Sequence, residues 1–148
     1  VIELPADAED VVVTYLTSAL AGRAEPYAAG VVVSTKLRPK TSPARHVRIR
    51  RVGGVPYSRV QDSPRLDAQV WYDTAQPTDE RSRNQLALLV WALLKDIRGR
   101  VVVPAVGPAV TCYRVLDFAG PHAEPDPADD TKTITGLTVE IGMRIRAV

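Results

Sequence analysis

A chain of 148 residues, 45% hydrophobic and 24% charged, has the size and composition of one domain with its own core. Its 19 Lys and Arg against 17 Asp and Glu leave a net charge of +2, too little for net charge alone to hold phosphate indiscriminately. The longest apolar run, Leu86 to Leu94, is nine residues, against roughly 20 for a membrane-spanning helix. The opening residues carry Glu3, Asp7, Glu9 and Asp10, the reverse of the basic start of a secretory signal, so neither a membrane span nor export is expected. A single cysteine, Cys112, excludes an intramolecular disulfide and a Cys-based zinc cage, and points to a reducing compartment.

Residues 5–21 read as the first helix. Pro5 suits a first helical position, and Asp7, Glu9 and Asp10 favour the positive end of the helix dipole. Val12, Tyr15, Leu16, Ala19 and Leu20 line one face, and Gly22 offers a left-handed cap. Val31 to Thr35 is a β-branched run of strand length, followed by a loop with Pro39 and Pro43. Val47 and Ile49 alternate with His46, Arg48 and Arg50, and Leu66, Ala68, Val70 and Tyr72 alternate with Arg65, Asp67, Gln69 and Trp71. Two half-buried antiparallel strands with a long Gly/Pro/Asp connection are expected.

The clearest helix follows, with Thr78 as N-cap, Asp79 and Glu80 in its first turn, and Gly99 ending it. Its stripe of Leu86, Leu89, Val90, Leu93, Leu94 and Ile97 should organise the core, at about 1.5 to 3 kcal/mol per buried side chain. Val101 to Val110, broken by Pro104, Gly107 and Pro108, reads as an irregular crossing before a strand over 110–118. Gly120 to Asp130, with Pro121, Pro125 and Pro127 among four acids, reads as a solvated loop. Leu137, Val139, Ile141, Met143 and Ile145 then alternate as the last strand. The order αβββαββ is not the strict alternation of a doubly wound sheet. It predicts one α+β domain over 1–148, with two main helices on a mostly antiparallel or mixed sheet of about five strands.

No phosphate loop, HExxH, GxSxG or CxxC is present, and the reading is a non-enzyme without metal or cofactor. Cys112 sits in a strand pattern and reads as a small core hydrophobe. Asp126, Asp129 and Asp130 crowd together, but without the Gly and terminal Glu of a calcium loop they read as a solvated acidic stretch. Trp91, on a helix flank, reads as packing. Trp71, on the polar face of a strand, is a candidate for burial between chains.

The informative feature is segregation of charge. Between Glu25 and Asp62 stand Lys36, Arg38, Lys40, Arg45, Arg48, Arg50, Arg51 and Arg59 with no acid among them. Between Arg114 and Lys132 stand Asp117, Glu124, Asp126, Asp129 and Asp130 with no Lys or Arg. Three readings are open: the segments neutralise each other within one chain; a basic edge meets a neighbour's acidic edge in a ring; or residues 36–51 form a nucleic-acid stripe. Under the second, the candidate interface residues are Lys36, Arg38, Lys40, Arg45, Arg48, Arg50, Trp71, Glu124, Asp126, Asp129 and Asp130.

The acidic first helix, the strand Arg65 to Tyr72 followed by the helix Asp79 to Arg98, and the closing strand Thr138 to Arg146 after a Pro/Asp-rich loop together resemble the tail terminator (tail completion, minor tail) proteins of long-tailed bacteriophages. The likeness covers nearly the whole chain and is one of order and spacing, with no catalytic motif. The composition of 15 Arg against 4 Lys looks like that of a phage of a GC-rich host. The resemblance implies a structural virion protein, assembled in the host cytoplasm and placed at the head-tail junction. Its subunits would form a hexameric ring that caps the tail tube protein, ends tube polymerisation and offers a surface to the head-tail connector or neck protein. DNA would pass through the ring without sequence-specific binding. A head-side connector and, from another class, a nucleic-acid-binding module are the alternatives.

Overall fold

The computed structural model describes residues 6–37, 44–58, 60–72 and 79–145. In chain order the elements are helix α1 (Ala8–Ala21), a single 3₁₀ turn (Pro26–Ala28), strands β1 (Val32–Ser34), β2 (Arg45–Gly54), β3 (Gln61–Asp62) and β4 (Pro64–Tyr72), helix α2 (Asp79–Asp96), and strands β5 (Arg100–Val102), β6 (Val110–Asp126) and β7 (Asp129–Ile145). The fold is α+β, as the pattern predicts, but the sheet has seven strands rather than five. They lie in the order β1-β2-β4-β7-β6-β5, with β3 pairing β7 off that path. Only β1 on β2 is parallel, so the sheet is mixed.

Helix α1 begins later than predicted. Asp7 is its N-cap, and its carboxylate accepts from the Glu9 and Asp10 amides at 3.1 and 3.3 Å, which satisfies two of the amides left open at any helix start. Pro5, the predicted first helical residue, lies outside the described residues. Gly22 closes the helix at φ −84°, not in the left-handed region. Ala8, Val11, Val12, Leu16 and Leu20 are buried, so the β-branched Val11–Val13 stretch is tolerated because tertiary packing outweighs its modest propensity cost. On α2 the buried residues are Leu86, Ala87, Val90 and Leu94, continued by Ile97, while Leu89 and Leu93 are half-buried against the same core. Thr78, its predicted cap, lies outside the described residues.

Alternation fixes the sheet's two faces. Val47 and Ile49 of β2, Leu66, Ala68 and Val70 of β4, and Leu137, Val139, Ile141 and Met143 of β7 point to the helices and are essentially unexposed. In a flat sheet β2 and β5, four strands apart, would be about 19 Å apart. Helix α1 nevertheless packs against β1, β2 and β5 as well as α2, so the sheet curls around the helix pair. Three long-range hydrogen bonds hold that closure. The Tyr15 hydroxyl donates to the Leu93 carbonyl at 2.8 Å, and the Asp10 carboxylate accepts from the Ala105 and Val106 amides at 3.4 and 3.2 Å.

The largest departure from the predicted pattern is residues 120–130. They are not a solvated loop. β6 continues to Asp126, and a two-residue turn, Pro127–Ala128, leads directly into β7. The prolines are accommodated because β5 pairs β6 only over 110–112, so beyond that β6 has a partner on one side alone. An edge strand loses no ladder bond to a proline that faces outward, and the β6–β7 register shifts between Ala119 and His122 and between Pro125 and Asp126. The irregular crossing over 101–110 likewise contains the short edge strand β5.

Gly54 ends β2 opposite Pro64, at φ +104°. A Cβ there would overlap the Ser63 carbonyl and the Pro64 Cα, and those are backbone atoms that cannot swing aside. Gly54→Ala should therefore destabilise the domain by about 1 to 3 kcal/mol, read as a fall in the denaturant midpoint at unchanged m-value; an unchanged midpoint would contradict this account of the β2–β3 corner.

Candidate subunit interface

The sheet face turned away from the helices carries the polar half of each alternation, and here five of the eleven interface candidates, Arg48, Arg50, Trp71, Glu124 and Asp126, meet. His46 of β2 stands opposite Trp71 of β4, Arg48 opposite Gln69, and Arg50 opposite Asp67. On the far side of β4 runs β7, which places Gly136 beside Gln69. Beyond it, Glu124 of β6 reaches over Gly136 to accept from the Gln69 amide nitrogen at 3.0 Å. That crossing requires a residue without a side chain, since a Cβ on Gly136 would lie 2.6 Å from the Glu124 carboxyl carbon. Gln69 in turn accepts from the Arg48 guanidinium at 3.3 Å. A single hydrogen-bonded line thus joins the basic strand to the acidic one across four strands of the same sheet.

Trp71 is 3% exposed, buried within the chain, so its burial needs no neighbouring copy. Its indole N–H donates to Asp126 Oδ2 at 2.9 Å, and its ring meets His46 edge-on with centroids 5.6 Å apart. The other Asp126 oxygen accepts from the Ala128 amide at 2.9 Å and so shapes the hairpin turn. Trp71 and Asp126 were predicted as interface residues; the structure instead makes them the pin that fixes the β6–β7 turn to the end of β4. Each polar group is satisfied by the other, which is what burial of an indole N–H and a carboxylate requires.

The remaining candidates divide. Arg45 is spent inside the chain, donating to the Pro26 and Ala29 carbonyls at 3.0 and 2.6 Å with its guanidinium carbon 4.8 Å from the Tyr72 ring centroid. Arg50 pairs loosely with Asp67 at 3.4 Å. Lys36 is exposed, with its backbone carbonyl 3.1 Å from His46 Nε2. Arg38 and Lys40 lie outside the described residues. Asp130 is exposed at the start of β7, beside the hairpin turn, and the neighbouring Asp129 carboxylate accepts from the Thr131 amide and hydroxyl at 3.1 and 2.6 Å. The acidic segment is therefore partly internal, through Glu124 and Asp126, and partly displayed at the turn.

Sequence reasoning missed the rest of this outer face. Arg65 lies with its guanidinium carbon 3.7 Å from the Phe118 ring centroid, and Arg114 donates to the Ser63 hydroxyl at 3.1 Å and stands 3.7 Å from Glu140. Phe118 is 49% exposed. The alternation of β4 places Arg65 on this face, but the sequence pattern ends its strand at 118, and nothing local marks Phe118 as outward.

Cys112 is fully buried in the core cluster, and burial pushes its thiol up to about 12. Trp91 is half-buried and donates from its indole to Asp117 at 2.9 Å, with Lys95 Nζ 3.7 Å from the ring centroid. Among the described residues no three His, Cys, Asp or Glu side chains gather in a metal-sized cluster, and no helix is long and apolar enough to cross a membrane. Neither a family model nor a curated protein matches this chain.

Two measurements check this geometry. Trp71→Phe and Asp126→Ala should each cost about 1 to 3 kcal/mol, because each leaves its buried partner unsatisfied, and a double-mutant cycle should return a coupling of at least about 0.5 kcal/mol; strictly additive effects would remove the pin. The Cys112 thiol should resist alkylation in the folded chain and react on unfolding. Its folded pKa lies above the unfolded value, so folding favours the protonated thiol. The stability this contributes is complete below about pH 8.5, and it declines as pH rises from there towards 12. Rapid labelling of native protein at pH 8 would refute the burial.

Proposed function

We propose that this chain is an architectural virion protein. Copies join side by side in a six-membered ring that caps the growing end of a tail tube. No bond is made or broken: the terminator subunits occupy the sites that the next tube subunits would need, and their outer surface receives the head connector.

The observation that carries this reading is the projecting hairpin. β7 pairs β4 only from Glu140 to Thr135, yet the β6–β7 ladder runs on for six residues to Asp129. It ends in a turn where Pro127, Ala128 and Asp130 are exposed. An arm that outruns its pairing with β4 and carries Asp129 and Asp130 beside its turn, on a chain with Arg65 and Arg114 further along the same sheet, suits contact between unlike patches of identical copies. Such contacts are heterologous and generate rings when the rotation closes. Carboxylates argue against the nucleic-acid reading of residues 36–51. Asp67 lies beside Arg50 at 3.4 Å, and Glu124 is hydrogen-bonded to Gln69, the partner of Arg48. A phosphate track along β2 would meet negative charge at both steps.

Native mass spectrometry and negative-stain imaging, with and without tail tube, test the proposal. Closed rings of six seated on tube ends are expected, and tubes should stop lengthening when the protein is added. Attachment to a portal assembly instead of the tube would favour the connector alternative. Replacing Lys36, Arg38 and Lys40 together with Glu should abolish ring formation while leaving a folded monomer; intact rings in that variant would take the 36–40 segment out of the contact. A chain that stays monomeric at every concentration, tube present, would sink the reading itself.

A further inference from the structure

We propose that the Pro125–Asp130 turn of one copy docks on the outer sheet face of the next, over Phe118 and between Arg65 and Arg114. This rests on the ring reading and names a contact of the ring in addition to the 36–40 segment.

The receiving surface is a patch of aromatic and guanidinium groups on an otherwise polar sheet. Phe118, Leu116 and Tyr57 are 49%, 42% and 62% exposed. Exposed aromatics beside Arg are the side chains that dominate protein contacts, since they bring large area with few rotamers and several donors. Arg65 and Arg114 lie along the sheet with their Nε atoms buried, so their aliphatic stems are packed against it. The guanidinium of Arg65 stacks on Phe118, and the nearest carboxylate to Arg114, that of Glu140, stands at 3.7 Å, beyond ordinary hydrogen-bond length. Arg114 is already engaged by Ser63, Tyr57 and Glu140, so the edge of the stacked Arg65 guanidinium is the main donor offered to an incoming carboxylate.

The turn has the matching chemistry. Pro125, Pro127 and Ala128 are exposed apolar groups beside Asp129 and Asp130, so small apolar surface meets the aromatic ring while carboxylates meet guanidinium groups. The turn is already held in shape. Asp126 ties it to Trp71 and to the Ala128 amide, and the proline rings fix two backbone torsions, so little conformational entropy remains to be lost on docking.

Geometry forces the contact to be between copies. Phe118 and Asp126 are eight residues apart on β6, whose pairing with β7 continues across that span through three register shifts, which leaves them roughly 20 Å apart. The turn cannot fold back onto the patch of its own chain without breaking that ladder. Because the turn and the patch are different surfaces, each copy uses one to give and the other to receive, which is the heterologous arrangement a ring requires.

The test uses the full chain, with association read by native mass spectrometry and sedimentation and folding checked by circular dichroism. Arg65→Glu and Asp130→Arg should each weaken self-association at least tenfold while the monomer stays folded. Mixed in equal amounts, the two variants should assemble again into rings with strict one-to-one alternation, because each reversed patch then meets a reversed turn only on the other variant. As a second measurement, a chain carrying both Phe118→Cys and Ala128→Cys should form a ladder of covalent oligomers on mild oxidation, and neither single variant should. If wild-type rings form and survive both charge reversals, or the mixture stays monomeric with both variants folded, this contact is wrong and the ring reading stands. If wild-type protein never associates, the contact falls together with that reading.

Discussion

The continuous ladder between β6 and β7 is the constraint from which the rest of the molecule follows. It supplies seventeen residues on each strand, and the other main strands are added to its sides, β4 along β7 and β5 along the start of β6. Its inner face carries Leu137, Val139, Ile141 and Met143 against the helices, and its far end is fixed to β4 by the bond between Trp71 and Asp126. An unanchored two-stranded ribbon is marginal in water. Here the arm gains a buried indole, a shared carboxylate and the bond from Arg83 to the Thr133 carbonyl at 2.8 Å, so it stays extended past the sheet.

The same arrangement divides the acidic segment into two functions. Glu124 and Asp126 serve the fold, the first through Gln69 and the second through Trp71. Asp129 and Asp130, three and four positions beyond Asp126, open β7 directly after the turn, and Asp130 is exposed. A charge buried with a hydrogen-bonding partner contributes to a unique structure, whereas a charge displayed on a rigid turn contributes to recognition. One stretch of sequence thus carries both kinds, and only the register of β6 on β7 separates them.

The arginines show a parallel division. Arg45 caps carbonyls of the 3₁₀ turn and Arg51 makes a two-pronged pair with Asp62 at 2.6 and 2.9 Å, and both hold connections between elements in place. Arg48, Arg50, Arg65 and Arg114 lie across the outer face with buried Nε atoms. Their aliphatic stems cover the sheet while the guanidinium ends remain at the surface, as long basic side chains commonly do. On that face guanidinium ends alternate with the carboxylates of Asp67, Glu124 and Glu140, in keeping with the chain's small net charge.

What the sequence determined by itself is what local periodicity encodes: two amphipathic helices, the alternation of β2, β4 and the end of β7, and hence the α+β class and the face on which each of their side chains lies. Trp71 and Arg65 were legible as outer-face residues for that reason. Tertiary structure alone decided whether a proline-rich acidic stretch is loop or strand, because Pro121 and Pro125 forbid a central strand but not an edge, and edge status depends on how far β5 runs beside β6. It also decided that Trp71 is buried by its own chain, through a carboxylate 55 residues away, and that Phe118 meets Arg65. Contacts between residues so far apart in the chain leave no periodic trace in either segment, so no local pattern could reveal them.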